Sequence, residues 1–116
     1  MPLTKEFNET VKARAERDDE FRLRLLTEAI EAMVSGEWDV AKLLLRDYIN
    51  ATEGFEALGK AVDKSPKSLM RMLGEKGNPT ATNLFKVTRF LREKSGVRFD
   101  VVPVKEHTKG KRQPVT

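Results

Sequence analysis

Residues 54–73 read GFEALGKAVDKSPKSLMRML, and their pattern decides the fold class. Phe55, Leu58 and Val62 recur at the three- and four-residue spacing of one helical face, which predicts a short helix over 54–62. Asp63-Lys64 leaves room only for a tight turn. Ser65-Pro66 then restarts a helix. The serine oxygen can accept from free amides of the first turn, and proline at the first helical position has no amide to leave unpaired. This second helix ends before Gly74, and its Leu69 and Leu73 are expected to pack on Leu58 and Val62. Two short helices across a turn of three or four residues form a helix-turn-helix unit. Gly59 falls where they approach, so a bulky side chain there would push them apart.

The second helix has a polar outer face. Lys67, Ser68 and Arg71 point away from Leu69 and Leu73. Lysine, serine and arginine are the side chains that reach base edges and phosphates. Arg71 can pair with guanine through two hydrogen bonds, and Ser65 and Ser68 can bond phosphate or several base edges.

Outward from this unit the chain continues to read as helix. On the N-terminal side, Phe7 and Val11 mark a weak amphipathic helix over 4–17, and Asp18 or Asp19 can cap the next one. Leu26, Ala29, Ile30 and Met33 form the stripe of a helix over 20–34 that Gly36 ends. Glu37 and Asp39 fall in the first turn of the following helix, where carboxylates complement the dipole. Its buried stripe is expected to be Trp38, Ala41, Leu45, Tyr48 and Ile49, with Trp38 as a core anchor. On the C-terminal side, 74–79 is a loop. Thr80 caps a last helix over 81–94 with the stripe Leu84, Val87, Thr88 and Leu91. Val97, Phe99 and Val101 then alternate with polar residues, which predicts a short strand over 97–102 closed by Pro103. The basic remainder, 105–116, is expected to be disordered.

Composition narrows the function. The chain has 116 residues, 39% hydrophobic and 34% charged, which fits one charge-rich globular domain. Without cysteine there is no disulfide framework, no thiol nucleophile and no thiolate zinc site. No run is apolar enough to span a membrane, and the N-terminus lacks the apolar core of a signal peptide, so a cytoplasmic location is expected. The formal charge is +4, divided as −3 over residues 1–50 and +7 over 51–116. That asymmetry suggests a polyanion-binding half and a half with another task. His107 is the only histidine, so no metal site is expected. No carboxylate pair, P-loop or dinucleotide-binding glycine pattern stands out, so neither an enzyme nor a cofactor is expected.

Residues 20–102 resemble the addiction-module antidote proteins with a lambda-repressor-like, XRE-type helix-turn-helix. The motifs that carry the resemblance are LLRDYI at 44–49, ALGKA at 57–61, SPKSLMRML at 65–73, GNPT at 77–80 and LFKVTRFL at 84–91. The GNPT loop directly after the second helix is the most specific. The resemblance implies an all-α DNA-binding core of about five helices, homodimerisation, and a neighbouring toxin of the small RelE/ParE type. It implies DNA contacts at Ser65, Lys67, Ser68 and Arg71, with Asn78 and the amides after Thr80 near phosphate, as suits a helix N-terminus. Lys60 and Lys64 are added as phosphate neighbours from their position beside the turn. The chain departs from the family at Asp63, where glycine is usual, and at Lys64, where an apolar residue is usual. Aspartate tolerates the left-handed backbone better than most residues.

The expected organisation is an N-terminal helical extension (1–19), a helix-turn-helix domain (20–104) and a basic tail (105–116). The function expected is a DNA-binding repressor acting as the antitoxin of a toxin–antitoxin pair. The alternatives are a stand-alone repressor and, in another class, a protein-interaction module that never meets DNA. Residues 1–35, acidic overall, could face a basic toxin or form a solvated extension. The strand at 97–102 could pair with its two-fold mate in a dimer.

Overall fold

Capping side chains and left-handed residues set the helix limits in the computed structural model, which describes residues 13–106. Helix α1 is described over 13–17. It is followed by α2 (Asp19–Ser35), α3 (Trp38–Ala51), α4 (Gly54–Val62), α5 (Pro66–Met72) and α6 (Ala81–Ser95). The architecture is all-α. The expectations for Phe7, Val11, His107 and most of the tail lie outside the described residues.

Asp18 separates α1 from α2. Its backbone is extended, and its carboxylate accepts the Phe21 amide at 3.1 Å. That hydrogen bond, with help from Arg14, holds the Asp18 carboxyl below its ordinary value. Arg22 closes the junction by donating to the Ala15 carbonyl and pairing with Asp19. A depressed folded-state pKa stabilises the fold above the unfolded value, and that contribution fades as pH falls through the folded one. Asp18→Ala is therefore expected to lower Tm near neutral pH, and the deficit should shrink in acid below about pH 4. Thermal melts across that range check it, and a deficit independent of pH would contradict the assignment.

At the other end of α2, Gly36 takes φ 82°, and the amides of Gly36 and Glu37 close back on Met33 and Ala32 at 3.2 and 2.9 Å. This paired closure turns the chain into α3, and α2 packs chiefly on α3. Helix α4 sits at the centre and touches α3, α5 and α6. The core unites Leu26, Ala29, Leu45, Tyr48 and Ile49 with Phe55, Leu58, Leu69, Leu73, Val87 and Leu91. Val62 and Leu84 lie half-buried against it. The expected packing of Leu58 and Val62 on Leu69 and Leu73 is thus present.

Two expectations are corrected. Trp38 is only half-buried and outside the core, because it opens α3 at the edge of the bundle. Its ring instead lies 5.7 Å from the Lys42 ammonium. Residues 97–102 do not form a strand, since no second extended segment lies beside them in the described chain. Phe99 packs on the helical core, and the Val97 carbonyl accepts from Arg92 at 3.1 Å. Beyond it Val101, Val102 and Val104 are exposed. Alternation here seats one aromatic ring on the helices, while pairing would need a partner the single chain lacks.

Among the described residues no helix is long and apolar enough to cross a membrane.

Candidate nucleic-acid interface

The α4–α5 turn depends on two residues. Asp63 adopts the left-handed conformation, φ 58° and ψ 50°, and is the only non-glycine residue described with positive φ. The Lys64 amide closes back on the Gly59 carbonyl at 3.0 Å. A Cβ on Gly59 would stand 2.5 Å from the Lys64 carbonyl oxygen, so the glycine is required by the turn itself. Aspartate carries the conformation that glycine would adopt without strain.

Ser65 then caps α5, its Oγ accepting the Ser68 amide at 3.0 Å. Thr80 caps α6 in the same way through the Asn83 amide at 3.1 Å. Both hydroxyls keep a proton to donate outward. The amides of Ala81 and Thr82 stay open at the start of α6, as the first turn of any helix leaves them.

Between these two caps runs the 74–79 loop, and it is fixed from beneath. Lys42 is 4% exposed. Its Nζ donates to the carbonyls of Glu75 and Gly77 at 3.1 and 3.0 Å. One turn further along α3, Arg46 donates to the Leu73 carbonyl at 3.0 Å. Gly77 lies so close to α5 that a Cβ would overlap the carbonyls of Met72 and Arg71.

The outcome is a concavity of about 420 Å³ between α5, the loop and the start of α6. It gathers Lys64, Ser68, Arg71, Asn78 and Thr80 from the sequence reading, and adds Lys76 and Asn83. Three of the residues lining it are cations and none is a carboxylate. Lys64, Arg71 and Lys76 form no ion pair with any described residue. Unpaired cations converging without an acid create a positive potential that an anion would relieve.

The remaining expected residues fall elsewhere. Lys67 is exposed on α5, one turn before Arg71. Ser65 and Lys60 border a neighbouring hollow beside Glu56 and Asp63, which Lys64 also lines. Lys60 therefore stands apart from the acid-free concavity and close to two carboxylates.

Lys76 and Asn83 were not legible as site residues, since one sits in a polar loop and the other on the flank of a helix. Lys42 gave no signal at all. It occupies what reads as the polar side of α3, and its partners lie 33 and 35 residues away.

Comparison of the chain with protein-family models, curated proteins and solved structures finds no match.

Proposed function

We propose that the chain is a sequence-specific DNA-binding transcriptional regulator with a lambda-repressor-like helix-turn-helix. In this reading it is the antitoxin of a type II toxin–antitoxin module, repressing its own operon and neutralising a RelE/ParE-like toxin. The observation that carries the DNA reading is the acid-free concavity with three unpaired cations beside the open amides of α6. The antitoxin reading rests on the sequence resemblance.

In this mechanism α5 enters the major groove. Arg71 meets a guanine edge, with Lys67 and Ser68 beside it. Lys64, Lys76 and Asn78 hold a neighbouring phosphate, with the Thr80 hydroxyl and the Ala81 and Thr82 amides completing the cradle. The protein acts as a homodimer. The sequence resemblance implies this, and two reading helices about 34 Å apart fit a palindrome. A solution mass equal to the monomer at micromolar concentration, without DNA, would count against the dimer.

The decisive experiment is binding to the DNA upstream of its own gene over a range of salt. Affinity should fall steeply with salt, by a slope of about 0.9 for each phosphate neutralised. Salt-independent or absent binding would leave the protein-interaction alternative. Arg71→Ala is expected to weaken operator binding by about 1–3 kcal/mol and relax discrimination at one base pair. Unchanged sequence preference would remove Arg71 from base reading. Lys64→Ala should weaken binding on all sequences alike and lower the salt slope by about 1. A loss confined to the operator would contradict its phosphate role. A small RelE-like open reading frame beside the gene, its product co-purifying with this chain, separates antitoxin from stand-alone repressor.

A further inference from the structure

A second cavity, of about 440 Å³, lies where the α1–α2 junction meets the C-terminal ends of α3 and α6. It shares no residue with the DNA-facing concavity. Helix α6 spans the distance between them, since Thr80 caps its start at one site and Ser95 ends it at the other. Its 15 residues place the two sites about 22 Å apart at a rise of 1.5 Å per residue.

The chemistry of this cavity is specific. Tyr48 is 4% exposed and lines it. Its hydroxyl forms no hydrogen bond with any described residue, yet among the described residues no fully buried side-chain polar atom lacks a partner. The small exposed part of Tyr48 therefore includes the hydroxyl, which stands close enough to Arg22 and Glu53 of the cavity wall to be influenced by both charges. Burial pushes the phenol above its usual pKa, with Arg22 opposing and Glu53 adding to the rise.

The surrounding charge is net acidic. Asp19 is neutralised by Arg22. Glu16 and Glu53 have no ion-pair partner among the described residues. The single remaining cation, Lys94, lies over the Phe90 ring at 5.8 Å. The C-termini of α3 and α6 meet the start of α2 here; Arg92 and Lys94 offset the last carbonyls of α6, and Asp19 offsets the first amides of α2, but the last turn of α3 carries no basic residue. Carbonyl ends of helices favour cations.

We propose that this cavity receives a cationic side chain, a guanidinium or ammonium, from a basic protein partner. Glu16 and Glu53 supply the charge, and the Tyr48 hydroxyl accepts a hydrogen bond from the incoming N–H. The identity of the partner as a basic protein rests on the antitoxin reading above. The location gives a consequence: partner and DNA engage opposite ends of α6, so both can be held at once.

The test uses the full chain, observed by amide NMR during titration with a Gly-Arg-Gly amide peptide, a Gly-Glu-Gly amide control and spermidine. The arginine peptide should shift resonances around Tyr48, Thr52 and Glu53, and the glutamate peptide should not. The double substitution Glu16→Gln/Glu53→Gln should raise the peptide Kd at least tenfold. Tyr48→Phe should raise it severalfold, with melts confirming an unchanged fold. Equal affinity in these variants, shifts spread over acidic residues elsewhere such as Glu28 and Glu31, or preference for the glutamate peptide overturns the proposal. Tighter binding of spermidine than of the arginine peptide makes this a small-cation site and overturns the protein partner. DNA binding is measured on the same samples. Intact DNA binding without peptide binding sinks this inference alone, whereas loss of DNA binding in the parent chain sinks the regulatory reading and leaves the peptide result standing.

Discussion

Lys42→Met is expected to destabilise the fold by about 2–3 kcal/mol and to weaken DNA binding, although Lys42 reaches no surface that DNA could touch. Methionine keeps most of the unbranched stem, so the substitution chiefly removes the ammonium and its two donations to Glu75 and Gly77. A hydrogen bond from a charged donor contributes about 1.5–3 kcal/mol, and part of that gain is offset by the cost of holding the ammonium out of water. The nearby Asp39 adds little, since it is 94% exposed and 3.9 Å away. Once released, the loop no longer holds Lys76 and Asn78 opposite Arg71, and the phosphate contacts proposed for them would be lost together. Denaturant unfolding measures the first effect and a salt titration of DNA binding the second. A variant as stable as the parent would show that the loop carbonyls find water at no cost. A destabilised variant with full DNA affinity would separate the loop from the interface.

Lys42 also marks the boundary of what the sequence discloses. The limits of α4 and α5 were readable because local chemistry sets them: apolar spacing, a serine cap, a proline behind it and a residue able to turn left-handed. The same holds for Gly36 and Thr80. Within the concavity, Ser68 and Arg71 were readable because the helical period fixes which face they share. Lys76 and Asn83 were not, because nothing local says which way a loop folds back. Trp38 shows the opposite failure. Its hydrophobicity invited a core role, but its place at the first residue of α3 put it at the edge. The segment 97–102 has the alternation of a strand, yet alternation is a property of one segment and a strand is a property of two. Lys42 was hidden for the most basic reason. A lysine on a helix reads as solvated unless distant carbonyls descend on it, and those carbonyls belong to a loop whose path depends on the whole fold.

Gly59→Ala is expected to destabilise the chain by about 2 kcal/mol, and the sign of this change is its main content. Gly59 lies inside α4, where helix propensity alone would make alanine more favourable by about 0.5–1 kcal/mol. The turn geometry opposes this. The new methyl carbon would stand 2.5 Å from the Lys64 carbonyl oxygen, with the Pro66 ring 3.6 Å away. Neither neighbour is a flexible side-chain end that could swing aside. The carbonyl belongs to the turn that the Lys64 amide closes on Gly59, and Pro66 is fixed at the start of α5. Relief requires α5 to move away from α4, and forcing atoms into a packed contact costs about 1–3 kcal/mol. Movement of α5 also carries Ser68 and Arg71 away from Lys64, so DNA affinity should fall by more than the loss of folded protein explains. Gly74→Ala supplies the control. A Cβ there would approach the carbonyls of Met70 and Arg71 no closer than 3.2 Å, and its effect should be markedly smaller. If Gly59→Ala instead raises Tm, propensity outweighs contact, and the close approach of α4 and α5 on which the whole interface rests is wrong.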